Sequence, residues 1–373
     1  MIIFNTKEIK ELCHNILQAV DSNSLERITE VVQLDILNSV ICMSVSNGEY
    51  YARFKVPINS KEELHATVNA STFLRLIEKL TCESVSMYIY DNNTLIIEGN
   101  GKYKIPLVFS EDELLNVPEI PMNNVTVSFS VNSNILKSIL KYNTPELNKG
   151  VISSPVQKMY YVDEKGAITF TTGACINKFA LSQPVKLLLN KKIVSLFNLF
   201  TEDTVSFSLS QEVQSEVNVT KIKFETASFT LVSFVTSDSV LINSVPSTAI
   251  RSRAYKTYDN YVTISKSSLL ACLDRISLFY TSLSQQYIRI KYESDGIVVS
   301  DIDNNNVENI PYVGDKKVLR DYEMVVDLND ILYTLKSYTD NYVNINFGDH
   351  EALVLVSNDI YIVIPEVLSY EVD

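Results

Sequence analysis

The stretch that decides the fold is Val68–Met87, VNASTFLRLIEKLTCESVSM, because similar stretches occur at Leu189–Phe207, LNKKIVSLFNLFTEDTVSF, and at Val326–Ile345, VDLNDILYTLKSYTDNYVNI. Each begins with an aliphatic residue and a helix-capping Asn or Asp. Apolar residues at helical spacing follow, then a Thr, an acidic or amide link, and alternating strand residues. The capping residue and the Thr are 12, 11 and 12 positions apart in the pairs Asn69 and Thr81, Asn190 and Thr201, and Asp327 and Thr339. Three such units predict a repeated domain.

The same order of elements surrounds each copy. A short strand and then a helix precede each copy, and hairpin strands follow it. These preceding helices are predicted at Thr6–Gln18, at Asn132–Asn143 and from Lys266 to about Tyr280. Further strands are predicted at Val156–Val162 and Lys178–Leu181, and Pro-containing segments at Ser110–Asn124 and Asn243–Asp259 are interpreted as linkers. The pattern predicts an α+β protein with two helices on antiparallel strands in each unit. The predicted domains span residues 1–122, 123–250 and 251–373.

Composition restricts the function. The 373 residues carry a net charge of −13, which excludes a globally basic nucleic-acid binder and a membrane-surface protein that relies on charge, but not a local basic surface. No apolar run approaches membrane-spanning length, and Met1 leads directly into a strand, so we expect neither a membrane segment nor a signal peptide. The five cysteines are scattered and never form a Cys-x-x-Cys pair, which suits a reducing compartment, the cytoplasm.

No catalytic pattern is present in the sequence. The three histidines lack metal-ligand spacing, and the chain has no P-loop, no Gly-x-Gly-x-x-Gly and no Gly-x-Ser-x-Gly. Only nine glycines occur, which disfavours phosphate-cradling loops. We therefore expect no enzyme activity, no cofactor and no metal.

Basic residues recur on the predicted helices. Their side chains suit a sequence-independent phosphate surface, while most acidic residues lie in strands and loops. Ordinary solvated helix faces remain the alternative interpretation, because Glu8, Glu11 and Glu78 lie on the same helices. The candidate DNA-binding residues on the helices are Arg75, Lys79, Lys137, Lys141, Lys191, Lys192, Lys266, Arg275 and Lys336.

The ordered set of three repeats resembles the bacterial-type β sliding clamp, the β subunit of DNA polymerase III. Tyr361–Leu368, YIVIPEVL, is similar to that family's closing strand, and Ser244–Arg253, SVPSTAIRSR, to its connector between domains two and three. The Lys191–Lys192 pair resembles a basic pair at the start of a family helix. The chain departs from the family in Thr171–Leu181, TTGACINKFAL, where only Lys178 and Phe179 match, in the places of an Arg and a Leu. This departure suggests a divergent clamp, encoded by a bacterium or by a phage.

The resemblance implies a fold and a function. Three clamp domains form a head-to-tail ring dimer whose helices line a hole for double-stranded DNA, and Arg27 matches a family position near DNA. The implied function is that of a non-enzymatic processivity factor, active in the bacterial cytoplasm or in a phage's host. The alternative is a repetitive β-rich structural or interaction protein, such as a virion component, without DNA binding.

The resemblance also implies two protein-binding surfaces. DNA polymerases and clamp-loader subunits would insert short linear peptides into a pocket between domains two and three, whereas the second copy would meet the edge strand Tyr103–Leu107. Plain core residues are the alternative interpretation at each of these positions. The implied pocket residues are Val156, Phe179, Pro246, Ile250, Ile362, Ile364 and Pro365, and the implied dimer residues are Ile105, Leu107, Leu278, Phe279 and Tyr280.

Overall fold

The computed structural model describes residues 1–21, 26–149, 153–214, 217–280, 286–348 and 352–367, so the end of the stretch Tyr361–Leu368 and of the third predicted domain lie outside the described residues. The first third contains β1 (Ile2–Asn5), α1 (Thr6–Ala19), a 3-10 turn (Arg27–Glu30), β2 (Val31–Leu37), β3 (Val40–Ser46), β4 (Tyr50–Pro57), β5 (Leu64–Asn69), α2 (Ala70–Lys79), β6 (Ser84–Tyr90), β7 (Thr94–Glu98), β8 (Lys102–Pro106), β9 (Phe109–Ser110) and β10 (Glu113–Leu114). The second third contains β11 (Val125–Asn132), α3 (Ser133–Ser138), a π-helical segment (Ile139–Asn143), α4 (Thr144–Leu147), a 3-10 turn (Pro155–Lys158), β12 (Tyr160–Asp163), β13 (Gly166–Phe170), β14 (Ala174–Lys178), β15 (Lys186–Leu189), α5 (Lys191–Ser195), a 3-10 turn (Leu196–Leu199), β16 (Thr204–Gln214), β17 (Val217–Glu225), β18 (Phe229–Val235), α6 (Ser239–Asn243) and α7 (Ser247–Ala254). The last third contains β19 (Asn260–Ser265), α8 (Lys266–Ser277), β20 (Tyr287–Tyr292), β21 (Gly296–Asp301), β22 (Val307–Pro311), β23 (Tyr322–Asp327), α9 (Leu328–Ser337), β24 (Tyr342–Phe347), β25 (Leu353–Ser357) and β26 (Ile360–Ile364).

The chain divides into two compact units, residues 1–133 with 196–237 and residues 134–195 with 238–373. The first unit contains a four-stranded sheet, β1-β6-β7-β8, and an eight-stranded sheet, β11-β16-β17-β18-β4-β3-β2-β5. The second contains an eight-stranded sheet, β15-β12-β13-β14-β26-β25-β24-β19, and a four-stranded sheet, β22-β21-β20-β23. Each eight-stranded sheet combines strands from two of the predicted domains. The α+β architecture is confirmed, and the boundaries after residues 122 and 250 stay a prediction.

Two strand pairs join the predicted domains within these sheets. In the first unit β18 pairs antiparallel with β4, from Phe229 opposite Phe54 to Ser233 opposite Tyr50, and the Phe54 and Phe229 rings stack with centroids 4.3 Å apart. In the second unit β14 pairs antiparallel with β26. Each joint is a row of backbone hydrogen bonds between two strands, so the strands on its two sides form one continuous sheet.

The three capping residues act as the sequence predicts. The Asn69 side chain accepts a hydrogen bond from the Thr72 amide at 2.9 Å. In the second and third copies Asn190 accepts from the Ile193 amide at 2.9 Å and Asp327 from the Asn329 amide at 2.8 Å. The helix of the second copy is short, since α5 passes into a 3-10 turn after Ser195.

The link after each helix is bound to the turn of a hairpin that follows it. The Thr81 amide donates to Asn100 Oδ1 at 2.6 Å, and Asn100 lies in the turn between β7 and β8. In the second copy the Ser228 amide and hydroxyl donate to Glu202 Oε1 at 3.0 and 2.6 Å. In the third copy the Ser357 hydroxyl and the Asn358 amide group donate to Asp340 Oδ2. The Thr–polar link of the repeat therefore fixes the end of the helix to its own sheet.

Alternate residues of β26 face two different cores. Ile362 and Ile364 belong to the large cluster that also contains the buried faces of α8 and α9. Val363 belongs to a separate cluster with Val156 and Ile176. This period-two alternation decides which residues of the closing strand are accessible to a ligand.

Three sequence predictions need correction. Residues Pro155–Lys158 form a 3-10 turn rather than the start of a strand, because the Gln157 amide donates to the Ser154 carbonyl at 3.1 Å and Gln157 Oε1 accepts from the Ser154 amide at 3.0 Å. β12 begins only at Tyr160. The strand predicted at Lys178–Leu181 instead ends at Lys178, as β14. The second linker contains the helix α7.

Glu202 makes stability depend on pH. Partial burial raises the pKa of its carboxyl, but hydrogen bonds from Ser228 and Thr226 outweigh that effect and lower the pKa to about 2. A group whose pKa is lower in the folded state stabilises the fold above its unfolded value, ~4.3, and this contribution is lost as pH falls toward 2.

We therefore expect Glu202→Gln to lower the free energy of unfolding at pH 7 by about 1 kcal/mol, a value discounted for solvent screening. The difference from the native chain should shrink at pH 3. Urea denaturation at both values measures it, with the exposed Glu63→Gln as the control. An equal loss at pH 7 and pH 3 would contradict the assignment.

Candidate nucleic-acid interface and peptide pocket

In the first unit α1 and α2 pack together and bury apolar faces that include Leu12, Ile16, Phe73 and Ile77. Their outer faces carry exposed basic residues, among them Arg75 and Lys79 of α2. Acidic residues share this surface: His14 Nδ1 of α1 lies 3.8 Å from Glu78 Oε1 of α2. Arg27 is exposed, and its guanidinium donates to the Phe109 carbonyl at 3.4 Å. The positive charge of this surface is therefore modest.

In the second unit the helices form a contiguous layer in which α9 contacts α4, α8 and the π-helical segment, and α5 contacts the π-helical segment. Lys191 is exposed and donates to Asn148 Oδ1 at 2.8 Å, a neutral partner that leaves its charge uncompensated. Lys141 lies 5.0 Å from the Tyr142 ring centroid. Lys137 and Lys192 are half-buried. The four lysines together place positive charge on one helical layer.

The remaining basic candidates are held by partners within the second unit. Lys266 donates to the Tyr338 carbonyl. Arg275 forms a bidentate contact with Glu308 of β22, with distances of 2.7 and 2.5 Å, and hydrogen bonding to Arg275 lowers the pKa of the Glu308 carboxyl. Lys336 lies 3.9 Å from Asp274. Arg275 is therefore a weaker DNA-binding candidate than its position on the helix suggests.

The predicted dimer residues have different environments. Leu278 and Phe279, just after α8, are 79% and 64% exposed, whereas Ile105 and Leu107 are buried within their own unit. Tyr280 is half-buried, and its hydroxyl donates to the Tyr287 carbonyl. Only the pair after α8 offers a large apolar surface to another molecule.

A cavity of about 260 Å³ lies in the second unit between α7, the end of β26 and the turn from β13 to β14. This volume suits a few side chains rather than a large cofactor. Its walls expose apolar and polar surface in similar amounts. The lining residues are Phe170, Thr171, Thr172, Gly173, Ala174, Pro246, Ala249, Ile250, Arg253, Val363 and Pro365.

Three of the seven predicted pocket residues line this cavity: Pro246, Ile250 and Pro365. Ile362 and Ile364 do not, since they lie on the opposite face of β26, and Val363 takes their place. Val156 is buried behind the wall, and Phe179 follows the end of β14. Strand alternation in YIVIP places Val363 on the opposite face from Ile362 and Ile364, but it does not tell which of the two faces borders the cavity.

A buried ion cluster supports the cavity wall. Lys149 Nζ lies 2.8 Å from Glu146 Oε2 and 3.6 Å from Asp330 Oδ1, and all three side chains are at most 10% exposed. The hydroxyls of Thr171 and Thr172, both in the wall, donate to Glu146 at 2.6 Å and to Asp330 at 3.3 Å. The cluster therefore positions the turn that forms one side of the cavity.

We expect Lys149→Met to lower the free energy of unfolding by about 3 kcal/mol, because it leaves two buried carboxylates without a cation. Chemical denaturation at pH 7 measures the loss. Exposed Lys165→Met is the matched control and should change little. A loss below about 1 kcal/mol would show that the cluster does not support the fold.

The described residues contain no group of three His, Cys, Asp or Glu residues placed to hold a metal ion, and no helix among them is long and apolar enough to span a membrane. Burial raises the pKa of the Cys13, Cys175 and Cys272 thiols, which are core residues.

No protein-family model and no curated protein sequence matches the chain. Solved structures do. The β subunit of the Streptococcus pyogenes DNA polymerase matches with a TM-score of 0.80, 14% identity, and coverage of 98% of this chain and 99% of that one. The Bacillus subtilis DNA polymerase sliding clamp matches with a TM-score of 0.78, 13% identity and 99% coverage of both chains.

A third match is the Helicobacter pylori β clamp bound to a DNA ligase peptide, with a TM-score of 0.76, 14% identity, and coverage of 98% of this chain and 99% of that one. All three similarities extend over almost the whole length of both chains. At this level of identity they establish the fold: the chain has the sliding-clamp fold of the bacterial DNA polymerase β subunit over nearly its full length.

Proposed function

We propose that the chain is a DNA sliding clamp, a processivity factor that encircles duplex DNA without sequence preference and tethers a DNA polymerase. The observation that carries the proposal is the sliding-clamp fold over nearly the full length of the chain. The resemblance to clamps from bacteria supports a role in a bacterial cytoplasm, whether the protein is encoded by the cell or by a phage.

The strand joints support ring closure. Within the chain, β18 pairs with β4 and β14 pairs with β26, so the last strand of one predicted sheet pairs with the last strand of the next. In the described part of the chain, β8 and β22 are the corresponding last strands, and each pairs on one side only. The same joint between two copies pairs β8 of one with β22 of the other, which makes a closed, head-to-tail dimer.

The two edges are matched by their free backbone groups rather than by charge. β8 (KYKIP) exposes Lys102 and Lys104, and β22 (VENIP) carries Glu308. Because Lys102 already pairs with Glu98 and Glu308 with Arg275, the contact that we propose depends on backbone hydrogen bonds and on apolar side chains beside the edge. The exposed Leu278 and Phe279 follow α8, whose Arg275 contacts β22 through Glu308, so they lie near the same edge. We therefore place both apolar side chains in the dimer interface.

We expect Leu278→Asp to weaken dimerisation by at least about 30-fold, because it places a charge in an apolar contact. Sedimentation velocity over a concentration series measures the dissociation constant. Val240→Asp, at a residue that is 76% exposed, is the matched control and should leave the dimer unchanged. A Leu278→Asp chain that dimerises as the native chain does would remove this residue from the interface.

The lysine-rich layer of the second unit is the surface that we propose contacts phosphates. Lys191 is the best candidate, because its partner Asn148 is neutral, and Lys192 is its neighbour. A duplex bound by such contacts releases counterions, which makes the affinity fall with salt.

We expect the double substitution Lys191→Ala/Lys192→Ala to weaken binding of a 30-base-pair duplex and to reduce the slope of log K against log salt by about 1 to 2. Fluorescence anisotropy over a salt series measures both quantities. Lys158→Ala/Lys165→Ala removes the same charge from exposed positions outside the helical layer and should leave the slope unchanged. Equal slopes for the two double variants would show that the α5 surface does not face DNA.

The cavity beside α7 is the site that we propose binds partner peptides. Its volume and the apolar side chains in its mixed wall, such as Ile250 and Val363, suit the aliphatic or aromatic anchors of a short linear segment. The Helicobacter pylori clamp, which shares the fold, is bound to a DNA ligase peptide. Polymerase and clamp-loader subunits are the partners that this function requires.

A further inference from the structure

One face of α7 forms a wall of the cavity. Pro246, Ala249, Ile250 and Arg253 line it, and they are spaced i, i+3, i+4 and i+7, which is the spacing of a single helix face. The first three are apolar. Arg253 is the only charged residue among the lining residues, and it is exposed.

The charged side chains around Arg253 already form ion pairs with other residues. Arg251, two residues earlier, points to another side of the helix, where its guanidinium donates to both Asp163 oxygens at 2.6 Å. The buried acids that support the opposite wall, Glu146 and Asp330, are paired with Lys149. Within the described residues, no ion pair involves the Arg253 guanidinium, so its charge is available to a ligand.

We infer that Arg253 is a specificity-determining residue of the cavity and that it selects peptides with an Asp or Glu beside their apolar anchors. The inference rests on the proposed peptide-binding function. A chain with a net charge of −13 repels an acidic peptide at long range. The exposed guanidinium in the cavity lining offsets that repulsion only for a ligand whose carboxylate reaches it, so the charge determines selectivity.

Arg253 also has a geometric advantage over the nearby lysines. Lys178 Nζ lies 5.8 Å from the Tyr255 ring centroid, and Lys256 Nζ lies 5.8 Å from the Tyr258 ring centroid, and neither residue lines the cavity. The planar guanidinium of Arg253 binds a carboxylate with two parallel hydrogen bonds, which a lysine cannot do.

The test uses the full-length chain and synthetic octapeptides that share Leu and Phe anchors. A scan places Asp, Asn or Lys at each position that flanks the anchors, and fluorescence anisotropy measures the dissociation constants. For the native chain we expect the best Asp peptide to bind about fivefold more tightly than its Asn counterpart and the Lys peptide to bind more weakly still. The advantage should decrease as salt is raised from 50 to 500 mM.

The variant Arg253→Glu should reverse the order, so that the Lys peptide binds more tightly than the Asp peptide. Lys256→Glu changes the net charge by the same amount three residues away, outside the cavity, and should retain the native preference. Reversal in Arg253→Glu but not in Lys256→Glu supports the inference, and equal effects in both variants would overturn it.

The outcomes separate this inference from the function on which it rests. Binding of anchor peptides with no dependence on their charge would overturn the role of Arg253 and leave the peptide pocket in place. If no anchor peptide binds the native chain, or if Ile250→Asp binds the peptides as tightly as the native chain does, the peptide-binding function of this cavity itself fails.

Discussion

Antiparallel backbone pairing between the last strands of neighbouring sheets is the interaction on which the rest of the structure depends. It joins β18 to β4 in one unit and β14 to β26 in the other. Each joint extends a row of backbone hydrogen bonds across two predicted domains, so neither sheet ends in an open edge at that point. The Phe54–Phe229 stack adds about 0.5 to 1.5 kcal/mol to the first joint. Because β8 and β22 remain as the corresponding edges, the joint that builds the chain also provides the means to close a dimer.

The helices are held to these sheets by short polar contacts at both ends. A capping Asn or Asp fixes the first turn of each second helix, and the Thr–polar link fixes its last turn to a hairpin. The outer faces are then free to carry charge. The basic side chains differ in availability: Arg275 is neutralised by Glu308, whereas the partner of Lys191 among the described residues is the neutral Asn148. An acidic protein can in this way present a few positive charges on one surface, which suits sliding along a polyanion better than tight, fixed binding.

Local sequence signals predicted the repeat, the caps and most elements, because these depend on residues close together in the chain. Contacts between distant residues decided the rest. The helix α7 was interpreted as a linker, since SVPSTAIRSR has a weak apolar pattern, and what anchors it is the pair between Arg251 and Asp163, 88 positions apart. The predicted pocket included Ile362 and Ile364, whereas Val363 of the same strand lines the cavity, because the sequence does not show which face of a strand buried on both sides borders a cavity. The role of this cavity stays a proposal. Motif reasoning did not identify Arg253. Its spacing of seven residues from Pro246 would have placed it on the face of the cavity-lining residues if the segment had been predicted as a helix.

The central claim is that two copies close into a ring around duplex DNA. Negative-stain electron microscopy of the purified chain tests it most directly, with two-dimensional class averages at a concentration where sedimentation shows a dimer. The account predicts closed rings with a central hole wider than the roughly 20 Å of a DNA duplex, built from two copies joined at two equivalent contacts. Compact or open assemblies without a hole, or filaments that grow without closing, would contradict it and favour a structural protein that shares only the fold.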